Sequence, residues 1–141
     1  VAAIRVKAEG GDEIAMKRLG FSYRDGKRGL MQDYTQAFAW FKRAADLKEV
    51  YALTECGHSY LHGKGVERSI SRGVAMTALA AGLGSEHACA LLGIANEEGS
   101  DGLEQNPQEA TRWYREMQKC KSRDSSDDYR ERAAAWLRDH P

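Results

Sequence analysis

The chain has 141 residues, the size of one ordinary domain, so a second catalytic domain is not expected. Twenty-one Lys and Arg offset twenty-one Asp and Glu, and a net charge of zero argues against a nucleic-acid binder, which carries a basic excess. No apolar run nears the ~20 residues that span a bilayer, no basic-then-apolar leader opens the sequence, and three cysteines do not make a disulfide scaffold, so a soluble, reduced chain without membrane insertion is expected.

Twenty Ala and 14 Gly stand against only 13 Val, Ile and Thr together, and there are two Pro. Ala favours helix and β-branched residues favour strands, so this composition predicts an all-α protein with closely approaching helices. Residues 1–14 read as the end of a preceding partial repeat, with residues 1–10 as the rear of a helix. Together with a first residue that is not Met, this predicts a piece of a longer repeat protein.

Three copies of one pattern follow, at 15–51, 52–87 and 88–121. The first runs Ala15, Leu19-Gly20, Tyr23, Gly26, then Asp33, Ala37, Trp40 and Ala44-Ala45. The second runs Ala52, Cys56-Gly57, Tyr60, Gly63, then Ser69, Gly73, Met76 and Ala80-Ala81. The third runs Ala88, Leu92-Gly93, Asn96, Gly99, then Asn106, Ala110, Trp113 and Met117-Gln118. Each position recurs after 36 or 37 residues, the signature of a stacked repeat.

Each position has a physical reason. Ala15, Leu19 and Tyr23 are spaced i, i+4, i+8 and make an apolar stripe on a first helix, A. Gly20 lets a neighbouring helix approach closely, and Gly26 ends helix A in a left-handed turn. Asp33, Ser69 and Asn106 are N-cap types before a second helix, B, with Pro107 at the first helical position of the third. Helix B of the first copy buries Ala37, Trp40, Phe41, Ala44 and Ala45. Gly73 in place of alanine costs up to ~1 kcal/mol in a helix interior. At the end, Ser125-Ser126-Asp127-Asp128 starts a helix over 125–140 whose Tyr129, Ala133, Trp136 and Leu137 share a face and cap the last repeat.

No catalytic constellation emerges. Cys56 and His58 lie about 200° apart around a helix. His58 and His62 share a face, but a third metal ligand is missing, which favours two groove-lining polar residues over a metal site. Gly26-Lys27-Arg28-Gly29 and Gly63-Lys64-Gly65 lack the spacing and leading strand of a phosphate loop and read as repeat turns. Trp40 and Trp113 read as core residues. No cofactor is expected.

The combined pattern resembles the Sel-1-like repeat, an α-solenoid family related to the tetratricopeptide repeat, over about residues 7 to 121. Asn96, Met117-Gln118, Gly73 and Lys48 (where Gly84 stands in the second copy) depart from it. The resemblance implies a right-handed α-α superhelix of about three helix-turn-helix repeats with a C-terminal capping helix. It also implies a concave face lined by the A helices. That face would carry Ile14, Lys17, Phe21, Arg24 and Asp25, then Tyr51, Thr54, His58, Leu61 and His62, then His87, Ala90, Ile94, Glu97 and Glu98. A peptide or protein segment would bind there, making the chain a non-enzymatic interaction module, alone or beside further repeats of its own full-length chain. The alternatives are the hydrolase or penicillin-binding activity attributed to cysteine-rich members, and a structural spacer. Those members staple helix A to helix B. Cys89 fits the first stapling position, but the second is Gln118, Cys120 lies two residues on and Cys56 fits neither; a Cys89–Cys120 bond stays conceivable because the ends of a helical hairpin are close, but stapling is not the expected design.

Neutrality also hides a split. Residues 15–51 hold eight basic and four acidic side chains, and residues 88–121 hold four and six. In a linear stack this predicts a gradient from Lys17 and Arg24 to Glu97 and Glu98 that orients a peptide of opposite polarity.

Overall fold

A computed structural model describes residues 1–141, and every regular element in it is an α-helix. The helices are α1 (Ala2–Glu9), α2 (Glu13–Asp25), α3 (Tyr34–Asp46), α4 (Val50–His62), α5 (Ile70–Gly82), α6 (Glu86–Glu98), α7 (Pro107–Lys119) and α8 (Asp127–Asp139). The chain divides into two compact units, Val1–Gly73 and Val74–Pro141, with the boundary inside α5. In the first unit α1 packs on α2, α2 on α3 and α3 on α4. In the second, α6 packs on α7, and α8 lies against both.

Local chemistry sets the ends of these helices. Asp33 and Asn106 each accept a hydrogen bond, at 3.1 Å, from the N–H three residues on, starting α3 and α7. Ser69 does the same for Arg72 at the start of α5, and Ser126 for Tyr129 at the start of α8. The A helices have their own caps, Asp12 before α2, Glu49 before α4 and Ser85 before α6. Gly26, Gly63 and Gly99 end the same three helices at φ of 64°, 66° and 68°. That is the left-handed region where a Cβ is penalised, which explains the 36- and 37-residue recurrence of glycine there.

Packing explains the second glycine. A methyl group at Gly20 would lie 2.6 Å from the ring of Phe41, and one at Gly93 would lie 2.5 Å from the ring of Tyr114. The aromatic ring of helix B therefore lies directly on the backbone of helix A. Around these contacts the first unit buries Ala15, Leu19, Ala37, Trp40, Ala44 and Leu53, and the second buries Ala88, Leu92, Ala110 and Met117. Small residues dominate both cores because closely approaching helices leave no room for larger ones.

Gly73 has a packing reason that its helix propensity does not show. The side chain of Leu61 fills the space, 2.6 Å from where a Cβ of residue 73 would sit. Lys48 adopts the left-handed conformation, at φ 64°, that Gly84 adopts at 99° in the next connection. A side chain in that region costs roughly 1–2 kcal/mol. Lys48→Gly is therefore expected to stabilise the fold by ~0.5–1 kcal/mol, offset in part by greater freedom of the unfolded chain. A rise in the urea midpoint with unchanged slope would show it.

Trp113 corrects the sequence expectation of a core residue. It is half-buried, with the Arg112 guanidinium 4.7 Å from its ring, and lines a cavity of about 670 Å³. Its neighbour Tyr114 takes the core, fully buried against Gly93. One residue along a helix is 100° of rotation, enough to exchange core for cavity wall.

Candidate functional site

In the first unit, α2 and α4 carry the residues that the repeat pattern assigns to a ligand-facing surface. Ile14 at 57% and Tyr51 at 48% are among the most exposed large apolar side chains. On the same surface Phe21 is half-buried, its ring edge-on to Phe41 at 5.1 Å and to Tyr51 at 6.3 Å. The Arg24 guanidinium carbon lies over the Phe21 ring, 4.7 Å from its centroid, and the group pairs with Asp25 at 2.8 Å and Glu55 at 3.1 Å. That guanidinium's hydrogen bond holds the Asp25 carboxyl below its ordinary value. Lys17 pairs with Glu49 at 3.0 Å and lies 5.5 Å from the Tyr51 ring centroid. These elements leave an apolar and aromatic surface rimmed by paired charges.

The other expected positions on α4 divide. Thr54 is buried, and its hydroxyl donates to the carbonyl of Val50 at 3.2 Å, so it presents nothing to a ligand. Leu61 is half-buried against Gly73. His58 and His62 are exposed, with ring centroids 4.3 Å apart. No group of three or more His, Cys, Asp or Glu side chains is placed to hold a metal.

In the second unit, α8 lies over the corresponding face of α6. Arg132 of α8 donates through Nε to Glu97 at 3.0 Å and through Nη2 to Glu98 at 2.6 Å, and Glu97 also accepts the Tyr114 hydroxyl. Burial, helped by that bond, raises the Tyr114 pKa above its ordinary value. His87 stacks on Tyr129 at 5.8 Å. Ala90 is completely buried and Ile94 half-buried. The acidic end that the sequence assigned to a ligand is therefore occupied by an arginine of the same unit.

The anchoring of α8 rests on residues that the sequence reading missed. Glu86, 2% exposed, pairs with Arg130 at 2.8 Å and Arg123 at 3.5 Å and accepts the N–H of Ser125. Asp124 accepts the hydroxyl of Ser85 at 2.9 Å and the N–H of His87 at 3.1 Å, covering the start of α6. Burial works against the charged form of Asp124, yet these hydrogen bonds outweigh it and hold its pKa below the ordinary value. A first-turn Glu ordinarily reads as a solvated complement to the helix dipole, so Glu86 gave no signal.

Measured from the N-cap, α8 has the arrangement of an A helix. Ala133 stands seven residues after Ser126, as Leu19 does after Asp12 and Leu92 after Ser85, and all three are buried. Arg132, six after its cap, meets Glu97, twelve after its own. Glu55 meets Arg24 at the same two positions in the first unit.

This architecture defines an all-helical repeat protein built of helix-turn-helix units with small-residue interfaces. The Sel1 repeat model matches residues 14–49, 50–85 and 86–117, and the chain belongs to the Sel1 repeat family. Among solved structures it resembles a Sel1 repeat protein from Oxalobacter formigenes, with TM-score 0.67 and 31% identity over 76% of this chain and 43% of that one. It also resembles a protective antigen of uropathogenic Escherichia coli strains displaying an SLR fold, with TM-score 0.74 and 34% identity over 82% of this chain and 24% of that one. Two Arabidopsis thaliana relatives are the ERAD-associated E3 ubiquitin-protein ligase components HRD3A and HRD3B. HRD3A is 36% identical over 62 residues and HRD3B 32% over 65, or 44% and 46% of this chain. The matched segments are 9% and 10% of those proteins' lengths. No helix is long and apolar enough to cross a membrane.

Proposed function

We propose that the chain is a protein-interaction module, a scaffold or adaptor segment that takes a peptide or protein segment on the outward face of α2 and α4. The observation that carries this reading is the exposure of Ile14 and of Tyr51, the latter beside Phe21, apolar surface that the repeat core does not require. Lys17 and Arg24 are already paired within the unit, so they shape the rim and leave apolar contact to supply the affinity. His58 and His62 extend the face as exposed hydrogen-bonding groups. Thr54, Ala90, Glu97 and Glu98 drop out of the binding surface, the first two through burial and the others through their bonds to Arg132. The two plant relatives, each named as a component of a ligase, support an adaptor role for this repeat type.

A non-enzymatic role is further supported by the thiols. Burial pushes Cys56 and Cys89 up to about 12, so neither supplies a thiolate nucleophile near neutral pH. The hydrolase reading would require turnover of a β-lactam by the purified chain.

The test is selection of peptides from a random display library, followed by binding to purified variants. A surface this small supports affinity on the order of micromolar. Ile14→Asp with Tyr51→Ala is expected to weaken selected peptides about tenfold or more. Met31→Asp, at a residue 88% exposed in a turn outside α2 and α4, is expected to leave them unchanged. Equal binding by all three folded proteins would overturn the proposal.

A further inference from the structure

The second unit keeps an open space that the repeat pattern does not call for. The cavity of about 670 Å³ lies among α5 from Val74 onward, α6 and α7, with Val74, Ala78, Gly82, Leu103 and Trp113 as its apolar walls. Its origin is in the sequence. In α3, Lys42 and Asp46 are long enough to form an ion pair. The same two repeat positions in α5 are Ala78 and Gly82, whose side chains are too short to fill anything. A methyl group on Gly82 would meet nothing within 4 Å. Trp40 is 6% exposed, whereas Trp113, at the same position two repeats on, lines the opening. Small-molecule sites enclose about 300–1,000 Å³, so the gap has the size of a ligand.

Polar groups on the walls select its charge. Glu109 and Glu116 both line the cavity, two turns apart on one face of α7. Their partners, Arg112 at 3.0 Å and Lys119 at 3.1 Å, are exposed neighbours on the same helix, and such pairs give way readily to a competing cation. Asn96 is buried at the cavity wall, where its Nδ2 donates to the Leu92 carbonyl at 2.8 Å and leaves the amide oxygen to accept. The stretch 100–111, which carries Leu103, contains Asp101, Glu104 and Glu109 and no Lys or Arg. The Trp113 ring already takes a cation, with the Arg112 guanidinium 4.7 Å from its centroid.

We propose that this cavity binds a small organic cation, an amine or quaternary ammonium carried on an apolar body. The body lies against Val74, Leu103 and Trp113, while the ammonium is held by the Glu109 and Glu116 carboxylates beside the indole ring. An anion would meet two carboxylates and a guanidinium already engaged by Glu109. A single lysine or arginine reaching in from another protein would leave most of the space empty, so the occupant is a free small molecule. The site uses none of the residues on the α2 and α4 face.

The test titrates the whole chain with phenethylamine and, separately, with 3-phenylpropionate, which has the same body and the opposite charge. The amine is expected to shift the Trp113 indole N–H resonance, assigned with Trp113→Phe, and to saturate with a Kd on the order of 1 mM, as suits so small a ligand. The acid is expected to bind about tenfold more weakly or worse. Glu109→Gln with Glu116→Gln is expected to keep the helical spectrum and erase the preference for the amine. Ala78→Leu, which fills the space, is expected to abolish binding, and Gly82→Met fills it from a second position where added atoms meet no neighbour. No shift of Trp113 up to about 10 mM amine, equal binding of the acid, or undiminished binding by a folded filled variant would overturn the proposal.

Discussion

Gly65→Ala is expected to destabilise the protein by about 3 kcal/mol or more, the largest effect of any single methyl group in this chain. Two costs coincide there. Gly65 stands at φ 77°, in the left-handed region, and its Cβ would fall 2.1 Å from the carbonyl oxygen of Tyr34 and 2.8 Å from the N of Thr35. Both neighbours are backbone at the start of α3, so no side chain can swing away. Gly29, in the corresponding turn of the first repeat, is the control. Its φ is 78°, but nothing lies within 4 Å of its Cβ position. Gly29→Ala therefore carries only the conformational penalty, about 1–2 kcal/mol. Urea unfolding of both variants measures the difference, and equal losses would show that the contact with α3 contributes nothing.

Glu86→Ala is expected to cost on the order of 2–3 kcal/mol. The carboxylate is 2% exposed and is shared among the Arg130 guanidinium, Arg123 and the N–H of Ser125. Removing it leaves these donors facing a cavity already open at about 250 Å³. The loss should be local. Amides of α8 are expected to exchange faster by hydrogen exchange, while those of α2 and α3 keep their protection. Glu86→Gln keeps the shape and an acceptor for Ser125 but surrenders the ion pair, so its cost should fall between those of Ala and wild type. Protection of α8 unchanged in Glu86→Ala would mean that its other contacts, among them Arg132 with Glu97 and Trp136 with Thr111, suffice to hold the helix.

Much of the fold is legible because it is written in local rules. The N-caps at Asp33, Ser69, Asn106 and Ser126 act across three residues, and the glycines ending α2, α4 and α6 answer to a single dihedral angle. Gly20 and Gly93 are legible as close approaches, and the rings they admit, Phe41 and Tyr114, are in register by the same spacing. The candidate surface is less legible because it depends on what covers each helix. The repeat pattern gives every A helix the same outward face, yet Arg132 and Tyr129 of α8 sit on part of that face in α6. Thr54 and Ala90 lie on the inner edge of the stripe, where a small rotation of the helix decides burial. Glu86 and Asp124 engage partners 37 to 44 residues away, a separation at which sequence periodicity says nothing.

The two ion pairs between successive A helices have opposite polarity. Arg24 meets Glu55 in the first unit, and at the same two positions in the second Glu97 meets Arg132. If α8 docked where α4 belongs, Arg132 would face Arg24, and α4 in the place of α8 would set Glu55 against Glu97. Like charges at that contact repel by about as much as the native pairs attract. Near-identical repeats can stack out of order or exchange helices between copies. In this chain the opposite sign of the two pairs disfavours an exchange of α4 with α8.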